Sequence, residues 1–195
     1  MPTGVAIRDA REQLFGAAER VLRSGGPSAL TSRAVTAEAG CAKGVLHRHF
    51  ADFDAFLAEL VLDRIDGVRR QSAALLASAG TGTVTGNLAG VLTDLSGSVA
   101  VQIVSLLIFR DDLRARLRET IPSGVPVATE IATMISSYLA AERDLGRVAA
   151  GADIDTLALT LIGTAHLMAA DRESAQPGPE AIRTMVATVL AGVLP

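Results

Sequence analysis

One stretch near the amino terminus constrains the fold more tightly than any other part of the chain. Residues 28–50 read SALTSRAVTAEAGCAKGVLHRHF, two short helical patterns on either side of a glycine. Thr31 suits the N-cap of the first helix, and Gly40 suits the turn because glycine readily adopts a positive φ. Leu46 and Phe50 share one face of the second helix and should pack inward. The pattern predicts a helix-turn-helix, a motif that lays its second helix in the DNA major groove.

Helical periodicity continues on both sides of this motif. A first helix is predicted from Arg8 to Arg23, and a fourth from Asp52 or Asp54 to about Ser78. Further helices are predicted at roughly 85–95, 99–109, 111–120 and 125–142. Asp153 and Asp155 are predicted to cap a helix that runs to about Ala170, and a last helix is predicted from Pro179 to Leu194. No segment shows the sustained alternation of a strand. We therefore predict an all-α protein with a three-helix head at residues 1–50 and a helical body at 51–195.

The distribution of charge is more informative than the formal net charge of −3. Up to residue 50, seven basic residues against four acidic ones leave +3, so the remaining 145 residues carry −6. A basic head on an acidic body suits a protein that presents one end to DNA. Hydrophobic residues make up 49% of the chain and mean hydropathy is +0.37. This apolar excess predicts a buried cavity, a subunit interface or both.

Several classes of protein are disfavoured. The longest nearly apolar run, Val99 to Phe109, is interrupted by Gln102 and Ser105 and is too short for a bilayer, which needs about 20 apolar residues. Met1 to Arg11 lacks the apolar stretch of a signal peptide. Cys41 is the single cysteine and is expected in an apolar slot at the turn, with a redox-sensing thiol as the alternative. His47 and His49 lie about 200° apart around a helix and cannot share an ion. We expect a cytoplasmic protein with no membrane partner, no metal and no cofactor.

The sequence shows no catalytic constellation. It contains no Gly-x-Ser-x-Gly elbow, and the glycines of residues 80–86 lack both the spacing of a phosphate loop and a preceding strand. The charged run of residues 110–116 is interpreted as a solvated helical face. We therefore predict a non-enzymatic protein. An all-helical enzyme, and a helical scaffold that has lost DNA binding, remain the alternatives.

The layout resembles the tetracycline-repressor (TetR) family of bacterial regulators. The resemblance is carried by Leu30-Thr31, Ala39-Gly40-Cys41, Lys43 to Leu46, His49-Phe50 and the segment from Asp52 to Leu57. It implies that the head binds DNA and that the body binds a ligand and dimerises. In that family the last two helices of two subunits form a four-helix bundle, and helices four to seven enclose an inducer cavity.

Two positions depart from the family pattern. His47 stands where tyrosine is usual, and Phe53 stands where a lysine near the start of helix four is usual. The family uses both positions for phosphate contacts, and Phe53 cannot donate a hydrogen bond. Backbone contact should then depend more on Thr31, Arg33, Arg48 and the amino-terminal end of helix four.

The candidate DNA-binding residues lie on the two short helices: Thr31, Arg33, Lys43, Gly44, Val45, His47, Arg48 and His49. Lys43, the chain's only lysine, can hydrogen-bond guanine or a phosphate. Gly44 would let the backbone approach the groove closely, and Val45 would meet a thymine methyl.

Candidates in the body are weaker, because a residue of this kind more often belongs to the core than to a ligand cavity. Polar, aromatic or flexible residues within aliphatic helices are candidates for a ligand cavity: Gln102, Ser105, Phe109, Met134, Tyr138 and His166. The apolar face of the last helix would be an exposed patch on a single chain, which is typical of association surfaces. The candidate dimer interface is Leu157, Leu161, Ile182, Val186, Val189 and Leu190.

These features together predict a homodimeric, ligand-responsive transcriptional regulator that acts as a repressor. Its partner would be an inverted-repeat operator in double-stranded DNA, with the two recognition helices in successive major grooves about 34–36 Å apart. A small, apolar effector in the body would release the DNA by binding one conformation better than the other.

Overall fold

The computed structural model describes residues 4–108, 110–121, 124–170 and 177–195. Within these ranges the chain forms ten α-helices, one short 3₁₀ helix at Pro27–Ala29 and no strand. The helices are α1 (Gly4–Gly25), α2 (Ser32–Glu38), α3 (Gly44–His49), α4 (Phe53–Ala77), α5 (Val84–Gly97), α6 (Ala100–Ile108), α7 (Asp111–Leu117), α8 (Ala128–Asp144), α9 (Ile154–Ala170) and α10 (Pro179–Leu190). The all-α fold predicted from the sequence is confirmed.

Local capping residues determine where several helices begin. The Thr31 side chain accepts a hydrogen bond from the Ala34 N–H at 3.1 Å. Asp52, rather than Asp54, caps α4, because its Oδ1 accepts from the Ala55 N–H at 2.6 Å. Asp153 caps α9 in the same way. Each of these side chains satisfies a backbone donor that has no partner within its own helix.

The chain divides into two compact units. The first comprises Met1–Asp63 and Gln102–Ser123, and the second comprises Arg64–Val101 and Gly124–Pro195. In addition to α1 to α3, the first unit therefore contains the first turns of α4, most of α6 and all of α7. This division differs from the boundary at residue 50 that the sequence suggested, and that boundary stays a prediction.

The core of the first unit is built around phenylalanines. The Phe50 and Phe56 rings meet edge to face with centroids 5.0 Å apart, and Phe15 lies 5.9 Å from Phe50 and 5.6 Å from Phe56. All three side chains are buried. Because aromatic pairs of this geometry add to the stabilisation from burial, they fix α1, the end of α3 and the start of α4 to one another.

The second unit packs α10 against α5 and α9, and α8 against α9. Four of the residues predicted for a dimer interface are buried within the protomer itself: Leu161, Ile182, Val186 and Leu190. Leu157 and Val189 are half-buried. The expectation that this α10 face stands exposed on a single chain is therefore wrong, because α5 and α9 of the same chain cover it. The interface residues themselves stay a prediction.

A buried polar cluster ties the α4–α5 loop to α8 in the second unit. Glu142 is completely buried, and its Oε1 accepts hydrogen bonds from the Tyr138 hydroxyl at 2.6 Å and the Gly80 N–H at 3.3 Å. Arg147 lies 3.4 Å from the other carboxylate oxygen and donates to the Gly82 carbonyl at 2.7 Å. The cation and the donors compensate for removing the carboxylate from water.

Among the described residues, no single helix has the length and apolar composition needed to cross a membrane. Helices α5 and α6 reach that length and composition only when they are taken together.

Candidate DNA interface

The turn between α2 and α3 has the geometry of a Schellman motif. Gly40 adopts φ +64°, its N–H donates to the Ala37 carbonyl at 3.1 Å, and the Cys41 N–H donates to the Thr36 carbonyl at 3.0 Å. These bonds satisfy the last carbonyls of α2 and require a residue that tolerates the left-handed region. The glycine that the sequence marked as the turn therefore performs that role.

A second contact holds this turn against α1. The Gln13 side-chain amide donates to the Ala39 carbonyl at 2.8 Å, so one more carbonyl at the end of α2 is satisfied from a neighbouring helix. Cys41 is a half-buried free thiol at the turn, and its place in an apolar slot stays a prediction.

Two inward-facing residues anchor α3. Leu46 is completely buried, and Phe50 retains 3% of its surface exposed. The Arg11 guanidinium lies 4.5 Å above the centre of the Phe50 ring and also pairs with Glu59. These contacts hold the short helix by one face, which leaves the opposite face free.

The free face carries most of the residues predicted to meet DNA. Lys43, Gly44, His47 and Arg48 are exposed, and Val45 and His49 are half-buried. Thr31 and Arg33 at the start of α2 are exposed as well. Contact with DNA by these eight residues stays a prediction. In the part of the chain that the structure describes, no group of three or more histidine, cysteine or acidic residues is arranged to hold a metal ion.

The cations of the head fall into two sets. On α1, Arg20 pairs with Glu38 at 2.6 Å and Arg23 pairs with Glu19 at 3.4 Å, and Arg11 is paired with Glu59. Arg33, Lys43 and Arg48 form no ion pair with any described residue. Among the head cations whose side chains the structure describes, those without an ion pair therefore lie on α2 and at α3.

The beginning of α4 differs from what the sequence suggested. Phe53 is half-buried and stacks on Phe56 with centroids 5.6 Å apart and rings inclined by 19°, so it belongs to the aromatic core. On either side of it, Asp52 pairs with Arg116 and Asp54 pairs with Arg110. Hydrogen bonding from the Arg116 guanidinium lowers the pKa of the Asp52 carboxyl below its ordinary value.

Sequence reasoning missed these two ion pairs. The run of residues 110–116 was interpreted as a solvated helical face, yet two of its arginines bind acids more than fifty positions earlier in the chain. The buried Leu113 and Leu117 were the available signal. They indicate that one side of α7 packs inward, so its charged neighbours lie beside another element.

The residues predicted to line a ligand cavity do not gather in one unit. Half-buried Gln102 and Ser105 lie in the first unit, whereas Met134, Tyr138 and His166 lie in the second. Phe109 lies outside the described residues. Burial and the neighbouring Glu142 raise the pKa of the Tyr138 hydroxyl, which also accepts a hydrogen bond from Asn87 at 2.9 Å. The ligand assignments stay predictions.

Met134 lines a cleft of about 180 Å³ between α4 and α8, in the second unit. The other residues of this cleft are Val68, Arg69, Ser72, Thr129, Glu130 and Thr133. The cleft is smaller than the roughly 300–1,000 Å³ typical of small-molecule pockets.

Two short helices joined by a glycine turn, the second held by one face and cationic on the other, define a helix-turn-helix DNA-binding head. Residues 14–60 match the family model described as bacterial regulatory proteins, tetR family. No curated protein matches the sequence.

Solved structures with the same fold extend this likeness over nearly the whole chain. The reduced form of NemR from E. coli is 16% identical with a TM-score of 0.72, and the match covers 96% of this chain and 98% of that one. A gamma-butyrolactone receptor, an ArpA-like protein, is 19% identical with a TM-score of 0.71 over 97% and 90% of the two chains. FadR from Bacillus subtilis, in complex with stearoyl-CoA, is 16% identical with a TM-score of 0.69 over 93% and 98%. The family match assigns residues 14–60 to the tetR-type regulatory head, and the likeness to these solved structures shows that the chain as a whole shares their fold.

Proposed function

We propose that this protein is a TetR-family repressor that binds an inverted-repeat operator as a homodimer and leaves it when a small apolar effector binds. The observation that carries the proposal is the division of cations in the head. Arg11, Arg20 and Arg23 of α1 are paired with glutamates, whereas Arg33, Lys43 and Arg48 are exposed and form no ion pair with the residues that the structure describes. Unpaired cations on one exposed surface are the electrostatic footprint expected of a nucleic-acid interface.

In this proposal different exposed residues of α2 and α3 contact the base edges and the phosphates of the operator. Lys43 and Gly44 lie at its amino-terminal end, where recognition helices contact base edges. Arg33 and Arg48 hold phosphates and so set the register of the head on the duplex. The Thr31 oxygen accepts from the Ala34 N–H, which leaves its hydroxyl proton free to donate to a phosphate.

The exposed side of α9 is the surface that supports a dimer. Leu159 and Leu167 are 64% and 74% exposed, and the exposed Gly163 lies midway between them. Residues four apart form one stripe along a helix, and large exposed leucines are typical of association surfaces. Small exposed residues on α10, Ala181, Thr184 and Ala187, would allow a partner helix to approach closely. We infer that this surface joins two copies, and that Leu161, Ile182, Val186 and Leu190 support it from within each protomer.

An effector is inferred from the fold and from what structural neighbours bind. FadR from Bacillus subtilis was solved with stearoyl-CoA, and another neighbour is a gamma-butyrolactone receptor. The cleft beside Met134 offers an apolar floor and a polar rim. Because that cleft is small, an effector would bind a conformation in which it is wider, and would shift the population toward that conformation.

The decisive experiment is selection of DNA by the full-length protein. The wild-type protein would be incubated with a randomised duplex library, and the bound sequences recovered and tested individually. An inverted repeat should emerge. Lys43→Ala should weaken binding to it by about 5- to 150-fold, the equivalent of about 1–3 kcal/mol for a base contact.

The matched control is Arg70→Ala, which removes an exposed arginine on α4 in the second unit and should leave DNA affinity unchanged. Recovery of no sequence by the wild-type protein would refute the proposal and favour a helical scaffold. We place the protein in the cytoplasm with its DNA, and propose no enzymatic activity because the TetR-family proteins that it resembles act as regulators.

A further inference from the structure

Two ion pairs join α7 to the first turn of α4, inside the first compact unit. Arg116 binds Asp52 through both guanidinium nitrogens, with Nη1–Oδ1 at 2.7 Å and Nη2–Oδ2 at 3.3 Å. Arg110 binds Asp54. We refer to these four residues as the α4–α7 latch.

The latch differs from the ion pairs formed within single helices. Pairs such as Asp66–Arg69 and Asp111–Arg114 join residues three apart and constrain only their own helix. The latch joins residues 56 and 64 positions apart. Leu113 and Leu117 bury one side of α7, which fixes the direction in which its arginines project. Two-point binding by Arg116 adds a defined geometry that a single contact would lack.

The position of the latch gives it a connection to DNA binding. Helix α3 ends at His49, Phe50 packs in the aromatic core, and Asp52 already caps α4. The orientation of the first α4 turn therefore sets the direction in which the recognition helix leaves the core. Asp52 and Asp54 would also place two negative charges beside the predicted phosphate-binding surface if the arginines did not neutralise them.

We propose that Arg110 and Arg116 are positioning residues for operator binding, because they hold and neutralise the amino-terminal end of α4 without touching DNA themselves. The inference builds on the proposed function, since it concerns how the head is held when it meets a duplex. It assigns a role to α7, a helix outside the helix-turn-helix motif.

The sharpest test is Asp52→Asn, measured on the duplex recovered from the randomised library by the wild-type protein. Asparagine caps a helix as well as aspartate does, so α4 keeps its first turn. The substitution also leaves Arg116 as an unpaired cation near DNA. An effect of charge alone would tighten binding, whereas loss of the latch should weaken it about two- to five-fold, the range expected for partly exposed ion pairs.

Salt dependence separates positioning from direct contact. For Arg116→Gln, affinity should fall while the slope of log affinity against log salt, between about 50 and 200 mM, stays as in the wild type. A residue that touches a phosphate would instead reduce that slope by about 0.9 when removed. Arg48→Gln serves as the comparison, because we propose that it contacts a phosphate.

A charge reversal provides the rescue. Arg110→Asp should weaken DNA binding, because it places two carboxylates together, and adding Asp54→Arg should restore affinity to within about two-fold of wild type. Asp66→Asn is the matched control, since it breaks an ion pair on the same helix and should leave affinity unchanged. Thermal unfolding of each variant confirms that the head is folded.

The outcomes are distinct. If the wild-type protein recovers no duplex, the proposed function fails, and the latch fails with it. If the wild-type protein binds and Asp52→Asn binds equally well or more tightly, the latch alone is refuted. The latch is also refuted if the Arg110–Asp54 reversal does not rescue binding in a folded protein.

Discussion

The single tyrosine of the chain gives a direct measurement of the buried cluster in the second unit. Tyr138 is completely buried. Its hydroxyl donates a hydrogen bond to Glu142 at 2.6 Å and accepts one from Asn87 at 2.9 Å. Burial, followed by the effect of the Glu142 carboxylate, raises its pKa. An unperturbed tyrosine ionises near pH 10. In the native protein we therefore expect no tyrosinate absorbance at that pH, although the same protein in urea should show it.

The sign of the effect on stability follows from linkage. The pKa of Tyr138 is higher in the folded state than in the unfolded state, so its contribution is fully present below about pH 10. It is lost as the pH rises further, because only the unfolded chain releases the proton. The free energy of unfolding should therefore fall by up to about 1.4 kcal/mol per pH unit from this residue. Tyr138→Phe should lack that alkaline component.

At neutral pH the same substitution tests the hydrogen bonds. Removing the hydroxyl deprives the buried Glu142 of a donor, and a hydrogen bond to a charged group contributes about 1.5–3 kcal/mol. For a chain of this length each kcal/mol corresponds to about 2–4 °C in Tm, so Tyr138→Phe should lower Tm by about 3–12 °C. Calorimetry and a spectrophotometric titration are the assays. A native tyrosinate signal with a midpoint near pH 10 would refute the reasoning.

Three further predictions concern glycines and the proposed dimer surface. Gly40→Ala should destabilise the protein by about 1–2 kcal/mol in urea unfolding because φ is +64°, and the cost comes from the backbone alone because no atom lies within 4 Å of the added methyl group. Gly90 is helical and equally unobstructed, so Gly90→Ala should instead stabilise the protein by about 0.5–1 kcal/mol. Equal effects of the two substitutions would contradict the backbone argument. Gly44→Ala should leave Tm within about 2 °C and weaken operator binding if backbone approach matters, and unchanged affinity would remove Gly44 from the interface. Leu167→Glu should reduce the sedimenting mass from about twice 20.1 kDa to 20.1 kDa. Leu145 is also an exposed leucine, and Leu145→Glu should leave the dimer intact. A dimer that survives Leu167→Glu would place the interface elsewhere.

The features that the sequence predicted well are those determined by neighbouring residues. The caps at Thr31, Asp52 and Asp153 satisfy N–H groups three residues away, and the positive φ of Gly40 follows from a turn with fixed hydrogen bonds. Helical periodicity placed α4 and α9 to within two residues of the observed bounds. Such features can be predicted without knowing which helices pack against each other.

The features that the sequence missed depend on pairings between distant elements. An apolar stripe on α10 indicates that the helix is covered, but not that α5 of the same chain covers it. The polar atoms of Tyr138 suggested a ligand, because nothing in the sequence showed that Glu142 and Asn87 satisfy its hydroxyl. The polar hydroxyl of Tyr138 and the apolar stripe of α10 therefore indicated that each has a partner, but the sequence did not show which element provides it.

The same reasoning explains why α7 was misinterpreted and why it deserves the closest experimental scrutiny. Arginines and aspartates close together in sequence can be solvated on any exposed helix, so the composition of the segment gives no indication of a distant contact. The structure supplies what composition lacks, since Leu113 and Leu117 are buried and two arginines of the segment meet the two acids that begin α4. Because those acids follow the recognition helix after only a few residues, a contact with no place in the helix-turn-helix motif can alter how that motif meets DNA.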